Sequence, residues 1–152
     1  MAIRILTFTL FLFLNFESQL KNQHQELTIE QRFTEWIENI NKKEKVDSSI
    51  IGFNFGLFES TEGFEMYLIG SKTFDIHNED WATNIDFEPN QKYFRFGQDF
   101  SKGKGWQEIV EYAEKLVSDF VNSEDFESSI LANAIGITTG FDDGNLTVIY
   151  AK

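Results

Sequence analysis

The sequence contains no cysteine. A disulfide, a thiolate nucleophile and a cysteine-ligated metal are therefore excluded, and a reducing compartment suits the chain. Proline occurs once, at Pro89, and no Pro/Gly/Ser-rich stretch marks a linker. One domain over residues 1–152 is expected. Bases are scarce: 13 Lys and Arg stand against 25 Asp and Glu, a net charge of −12. Phosphate backbones repel such a surface, so nucleic acid is not an expected partner. An anionic membrane is disfavoured on the same ground. A basic protein partner would be attracted and steered in. Histidine is limited to His24 and His77. His77 stands near Asp75, Glu79 and Asp80, but a metal site needs side chains that converge, and nothing in the spacing enforces that. No metal or cofactor is expected.

What is abundant is aromatic. Phenylalanine alone accounts for 17 residues, enough apolar surface for a core and too much for disorder. The run Ile5–Leu14 behind Arg4 is the longest apolar stretch. It is too short to span a bilayer. Thr and Phe alternating with Leu suit a retained, buried strand or an apolar helix. Its length also suits a signal-peptide core, although no A-x-A site follows. The first reading places the chain in the cytoplasm; cleavage within residues 1–18 would mean export.

From Leu27 to Lys45, Ile29, Phe33, Trp36, Ile37 and Ile40 recur at helical spacing. Thr28 and Gln31 form a capping-box pattern, and Lys42, Lys43 and Lys45 sit where cations favour the dipole. Ile50–Phe58 alternates: Ile51, Phe53, Phe55 and Leu57 share one face, and Gly52, Asn54 and Gly56 the other. Those small residues invite a helix or another backbone to approach. Ser60–Gly63 reads as a four-residue loop before a second strand through Phe64, Met66 and Leu68. Phe74–Pro89 is irregular and acidic, and Tyr93–Phe96 reads as a short strand. Trp106–Val121 is the clearest helix, with Ile109, Val110, Ala113, Leu116, Val117 and Phe120 on one stripe. Asn122–Asn133 reads as a second, shorter helix. Ile135–Phe141 and Leu146–Tyr150 flank Asp142-Asp143-Gly144-Asn145, a terminal hairpin in which Gly144 is expected to supply a positive φ. Strands joined by tight turns predict an α+β fold: a mainly antiparallel sheet with amphipathic helices packed on it.

Motifs for chemistry are missing. There is no P-loop, no G-x-G-x-x-G and no G-x-S-x-G. Asp142-Asp143-Gly144-Asn145 lacks the ligand spacing of a calcium loop. Asp86 and Glu88 could act as an acid–base pair, but among 25 acids they are background. No catalytic residue is assigned, and the chain is not expected to be an enzyme.

The acids are clustered in two stretches free of Lys and Arg. The first holds Asp75, Glu79, Asp80, Asp86 and Glu88, and the second Asp119, Glu124, Asp125, Glu127, Asp142 and Asp143. Either they keep the protein soluble or they form a partner-binding face. Trp81 stands among the first group. It either plugs the edge of the core or anchors an interface, since aromatics ringed by charge suit a hot spot. The candidate binding residues are Asp75, Glu79, Asp80, Trp81, Asp86, Glu88, Glu124, Asp125, Glu127, Asp142 and Asp143.

Three stretches carry a resemblance. They are Ile51-Gly52-Phe53-Asn54-Phe55-Gly56-Leu57-Phe58-Glu59, Tyr67-Leu68-Ile69-Gly70-Ser71, and Glu79-Asp80-Trp81-Ala82-Thr83-Asn84 followed by Pro89. With the closing Gly136–Leu146 segment, they resemble small bacterial immunity proteins of polymorphic-toxin and contact-dependent inhibition systems. The resemblance covers roughly residues 50 to 150. It implies a protein that binds one cognate toxin domain and blocks it, and acidic charge would complement a basic toxin. The apolar N-terminal run departs from this pattern. The alternative expectation is a small-molecule binder or enzyme with an aromatic-lined cavity.

Overall fold

The structure, a computed structural model, describes residues 26–152. The expectation for the apolar run at residues 5–14 lies outside the described residues, as does His24. The first element is helix α1, Ile29–Lys43. Its start follows from chemistry visible in the sequence. The Thr28 hydroxyl accepts from the Gln31 amide, and the Gln31 side chain accepts from the Thr28 amide at 2.9 Å. Phe33, Trp36, Ile37 and Ile40 are its buried stripe.

Strands β1, Gly52–Ser60, and β2, Gly63–Ser71, pair antiparallel with Ser60 opposite Gly63. The connection is thus two residues, tighter than the expected four-residue loop. Gly63 takes a φ of 107°, a conformation that side chains disfavour. A 3₁₀ turn at Glu79–Thr83 interrupts the segment expected to be irregular. Strand β3, Tyr93–Arg95, a short helix α2, Gln98–Ser101, and helix α3, Trp106–Val121, follow. The expected helix at Asn122–Asn133 does not form. Only a 3₁₀ turn, Phe126–Ser128, appears there, because Ser123, Ser128 and Ser129 turn their hydroxyls onto nearby carbonyls. Such local bonds compete with helix. Strands β4, Gly136–Phe141, and β5, Thr147–Ala151, close the chain as an antiparallel hairpin. Gly144 does not take a positive φ. The five residues from Asp142 to Leu146 close the turn without one.

The five-stranded sheet has the order β3-β2-β1-β4-β5. Three pairings are antiparallel; β1 and β4, at the centre, are parallel. The α+β class holds, with helices packed on a mostly antiparallel sheet. On the helix-covered face lie Phe53, Phe55, Leu57, Phe64, Met66, Leu68, Phe94 and Ile137, all in one core with the stripes of α1 and α3. Phe33 is the hub of its aromatics. Its ring lies 5.5–5.8 Å from those of Trp36, Phe55, Phe94 and Phe120. Arg32 donates to the carbonyls of Arg95 and Phe96, and the Trp36 indole to that of Gln91, tying α1 to the β3 edge.

The opposite face carries the small residues. They admit rings and loops, where a helix had been one expectation. Trp81 sits where a Gly52 side chain would go, Phe74 over Gly136, the Tyr67 ring over Gly56, and the Asn145 and Leu146 backbone over Gly140. Beneath this cover the Thr138 hydroxyl lies 3.0 Å from the Asn54 side-chain oxygen, so this buried polar pair is satisfied.

One packing contact makes a pH prediction. The Tyr112 hydroxyl on α3 donates to Glu30 on α1 at 2.6 Å. This bond, with backbone and Thr28 contributions, holds the Glu30 carboxyl below its ordinary pKa. A depressed folded pKa stabilises above the unfolded value and is lost as pH falls through the folded one. Glu30→Gln keeps an acceptor but removes the titration. Its melting temperature is therefore expected to fall less than the native chain's between neutral and acid pH. Parallel melting curves across that range would argue against the linkage.

A groove at the strand ends

Because β1 and β4 run parallel, they finish at the same end of the sheet. There Leu57 and Phe141 stand opposite each other. The first turns of α3 lie over that end and leave a groove of about 840 Å³. Its floor is apolar: Leu57, Phe64, Val110 and Phe141. Glu59 at the end of β1 and Asp142 and Asp143 in the loop after β4 provide its carboxylates, and no Lys or Arg lines it. Trp106, the first residue of α3, stands on its wall and is 66 % exposed. That indole is a large apolar surface facing water.

The acidic loop is fixed in place. The Tyr67 hydroxyl donates to Asp142 at 2.5 Å, and the Leu146 amide donates to Glu79 at 3.1 Å. Burial first, and then the Asp142 carboxylate, push the Tyr67 phenol well above the usual tyrosine range, so it stays a donor. Glu59 and Asp143 engage no partner among the described residues. A second, smaller cleft of about 290 Å³ lies between α1 and the segment after α3, with Asp125 on its wall.

The candidate acids do not form one surface. Glu79, Asp142 and Asp143 gather around the loop after β4. Glu124, Asp125 and Glu127 are exposed beside the helices, where Asn41 of α1 donates to the Ser128 carbonyl. Asp86 and Glu88 are less free than their base-poor stretch implied. Lys72, just before the stretch, pairs with Asp86 at 3.6 Å, and Lys92, just after it, pairs with Glu88 at 2.8 Å. Asp75 accepts from the His77 amide at 2.8 Å, and Asp80 is exposed. Both bases lay a few residues outside the window, so the sequence could have signalled them.

Trp81 is 5 % exposed, packed on Gly52 and 5.2 Å from the Phe74 ring. A side chain so covered offers little area to a partner, so of the two expected roles the packing favours the plug. The exposed tryptophan is Trp106, which the helical pattern concealed. Its place outside the apolar stripe of α3 was the available signal. Among the described residues, no group of three or more His, Asp or Glu side chains is placed to hold a metal ion. No described helix is long and apolar enough to cross a membrane.

The loop's position depends on Gly140. A Cβ there would lie 2.5 Å from the Asn145 carbonyl oxygen and 3.2 Å from the Leu146 Cα. Both are backbone atoms that cannot swing aside. Gly140→Ala is expected to cost about 1–3 kcal/mol and to break the Tyr67–Asp142 bond. Gly144→Ala meets its nearest atoms at 3.6–3.8 Å and should stay within about 0.5 kcal/mol. Urea unfolding of the two variants checks this; equal effects would mean that the loop does not pack on Gly140.

Comparison of the chain with protein-family models, curated proteins and solved structures finds no match.

Proposed function

We propose that this protein is a non-catalytic binding domain that captures and neutralises a basic toxin domain, as the resemblance to immunity proteins implies. The observation that carries the reading is the groove, where exposed Trp106 and an apolar floor lie beside Glu59, Asp142 and Asp143 without a lining base. An aromatic anchor set among carboxylates suits a protein interface. The net charge of −12 would draw a cationic partner toward it. Glu79 and Asp80 stand on the adjoining turn and would extend the field.

The experiment is co-expression with the domain encoded directly upstream, tested first for toxicity when expressed alone. Growth rescue and a co-purifying complex are expected. Neither rescue nor complex, with both proteins folded, would sink the proposal. The association rate of that complex should fall steeply as salt rises, because screening removes long-range steering. A rate indifferent to ionic strength would mean that charge does not guide the encounter. Small-molecule binding is the second reading, favoured by the groove's volume, which lies in the range of ligand pockets. Rescue that persists when the groove is filled by Val110→Trp would put the toxin contact elsewhere, whereas a small molecule that binds the groove, with neither rescue nor complex, would favour the second reading.

A further inference from the structure

Resting on the reading of the chain as a binder of a basic partner, we propose that the groove is a receptor for an arginine side chain of that partner. Three features of the same cleft converge on a cation with a long apolar stem. The half-buried Val110 and Phe141 suit a methylene chain, which an arginine can bury while its head stays wet. The Trp106 indole, exposed at the mouth, offers a π face to a planar cation. Asp142, Asp143 and Glu59 supply the carboxylates.

Their arrangement favours guanidinium over ammonium. Asp142 is oriented by the Tyr67 hydroxyl on one oxygen and keeps acceptor capacity for a second donor. Asp143 is its chain neighbour, so two carboxylates lie on one loop. A guanidinium carries five donors in a planar fork, pairs bidentately with carboxylates and stacks on aromatic rings. An ammonium satisfies the charge but neither the fork nor the stacking. Lys104, the nearest base in sequence to Trp106, is engaged elsewhere. Its ammonium donates to the Phe100 carbonyl at 2.9 Å and lies 4.4 Å from the centre of that ring.

The indole itself is the reporter. Trp36 and Trp81 are buried, and the Trp36 Nε1–H is already bonded to Gln91. The indole signals of the full chain can be followed by two-dimensional NMR, with the Trp106 signal assigned through Trp106→Phe. The probe is a short glycine peptide bearing a single arginine, compared with the same peptide bearing lysine or leucine. The arginine peptide is expected to shift the Trp106 signal and leave the other two in place. The paired change Glu59→Gln with Asp143→Asn should weaken it on the order of tenfold. The paired change Glu35→Gln with Glu38→Gln removes as much charge on α1, away from the groove lining, and should leave it unaltered. Equal weakening by both pairs means general charge attraction and overturns the proposal. Equal binding of the lysine or leucine peptide overturns the arginine assignment, and an unmoved Trp106 signal overturns the site. The broader reading fails separately. A complex with the toxic domain that survives the paired groove change sinks the arginine receptor alone, whereas the absence of any complex sinks the binding role.

Discussion

Phe33→Ala is expected to remove about 3–5 kcal/mol of stability, the cost of emptying a fully packed aromatic site. For a chain of this size that corresponds to a melting temperature lower by roughly 10 °C or more. Phe33 is 1 % exposed, and its ring touches four others drawn from α1, β1, β3 and α3. Those rings meet it tilted or edge-on. Each such pair adds about 0.5–1.5 kcal/mol beyond buried area, and all are lost together. The neighbours are large and held on separate elements, so they cannot collapse into the hole. Urea unfolding is the measurement, with a lower midpoint and an unchanged slope. A loss below about 1 kcal/mol would mean that α1 does not pack on the sheet through this residue. Phe33→Leu, which refills part of the volume, should recover much of the difference.

Trp81→Ala is expected to cost a similar amount, about 3–5 kcal/mol, and to leave partner binding unchanged below the melting transition. The ring lies against Gly52, and a Cβ on that glycine would fall 2.7 Å from it and 2.6 Å from the Thr73 carbonyl oxygen. Gly52→Ala therefore expels the same ring by another route. Because both changes break one contact, their costs should not add. The double variant should be less destabilised than the two singles together, by about 0.5 kcal/mol or more. Strict additivity would separate Trp81 from Gly52. A faster dissociation from the partner with an unaltered melting temperature would restore Trp81 to the interface. The contrast with Trp106 is the useful one: two tryptophans near acids, one a plug and one on a groove wall.

Much of the fold was legible because it is local. The Thr28–Gln31 capping box is written within four residues, and its hydrogen bonds form as the pattern implies. The apolar stripe of Trp106–Val121 marks a helix, and α3 has those same bounds. Alternation in Ile50–Phe58 assigned Ile51, Phe53, Phe55 and Leu57 to one face; the last three share the core, and Ile51 lies outside it. Where local signals competed, the reading failed. Serines in Ser123–Ser129 bond to carbonyls and replace a helix with turns, and Gly144 serves a turn that needs no positive φ.

By itself, then, the sequence determined the class of the fold, the starts of α1 and α3, most of the apolar faces and the excess of acid. These follow from side-chain chemistry and periods of two and 3.6 residues, which act between near neighbours. Only the tertiary structure decided that β1 and β4 lie side by side and parallel, with Asn54 meeting Thr138 across 84 residues. No short-range pattern encodes such a pairing, because it is selected by the burial of whole faces. From that pairing comes the groove, since parallel strands end together and α3 begins above them. It also decided which acids are free. Lys72 and Lys92 reach back to Asp86 and Glu88, while Asp143 and Glu59 are brought to the cleft beside Trp106. Charge was a property of the composition; its placement was a property of the packed sheet.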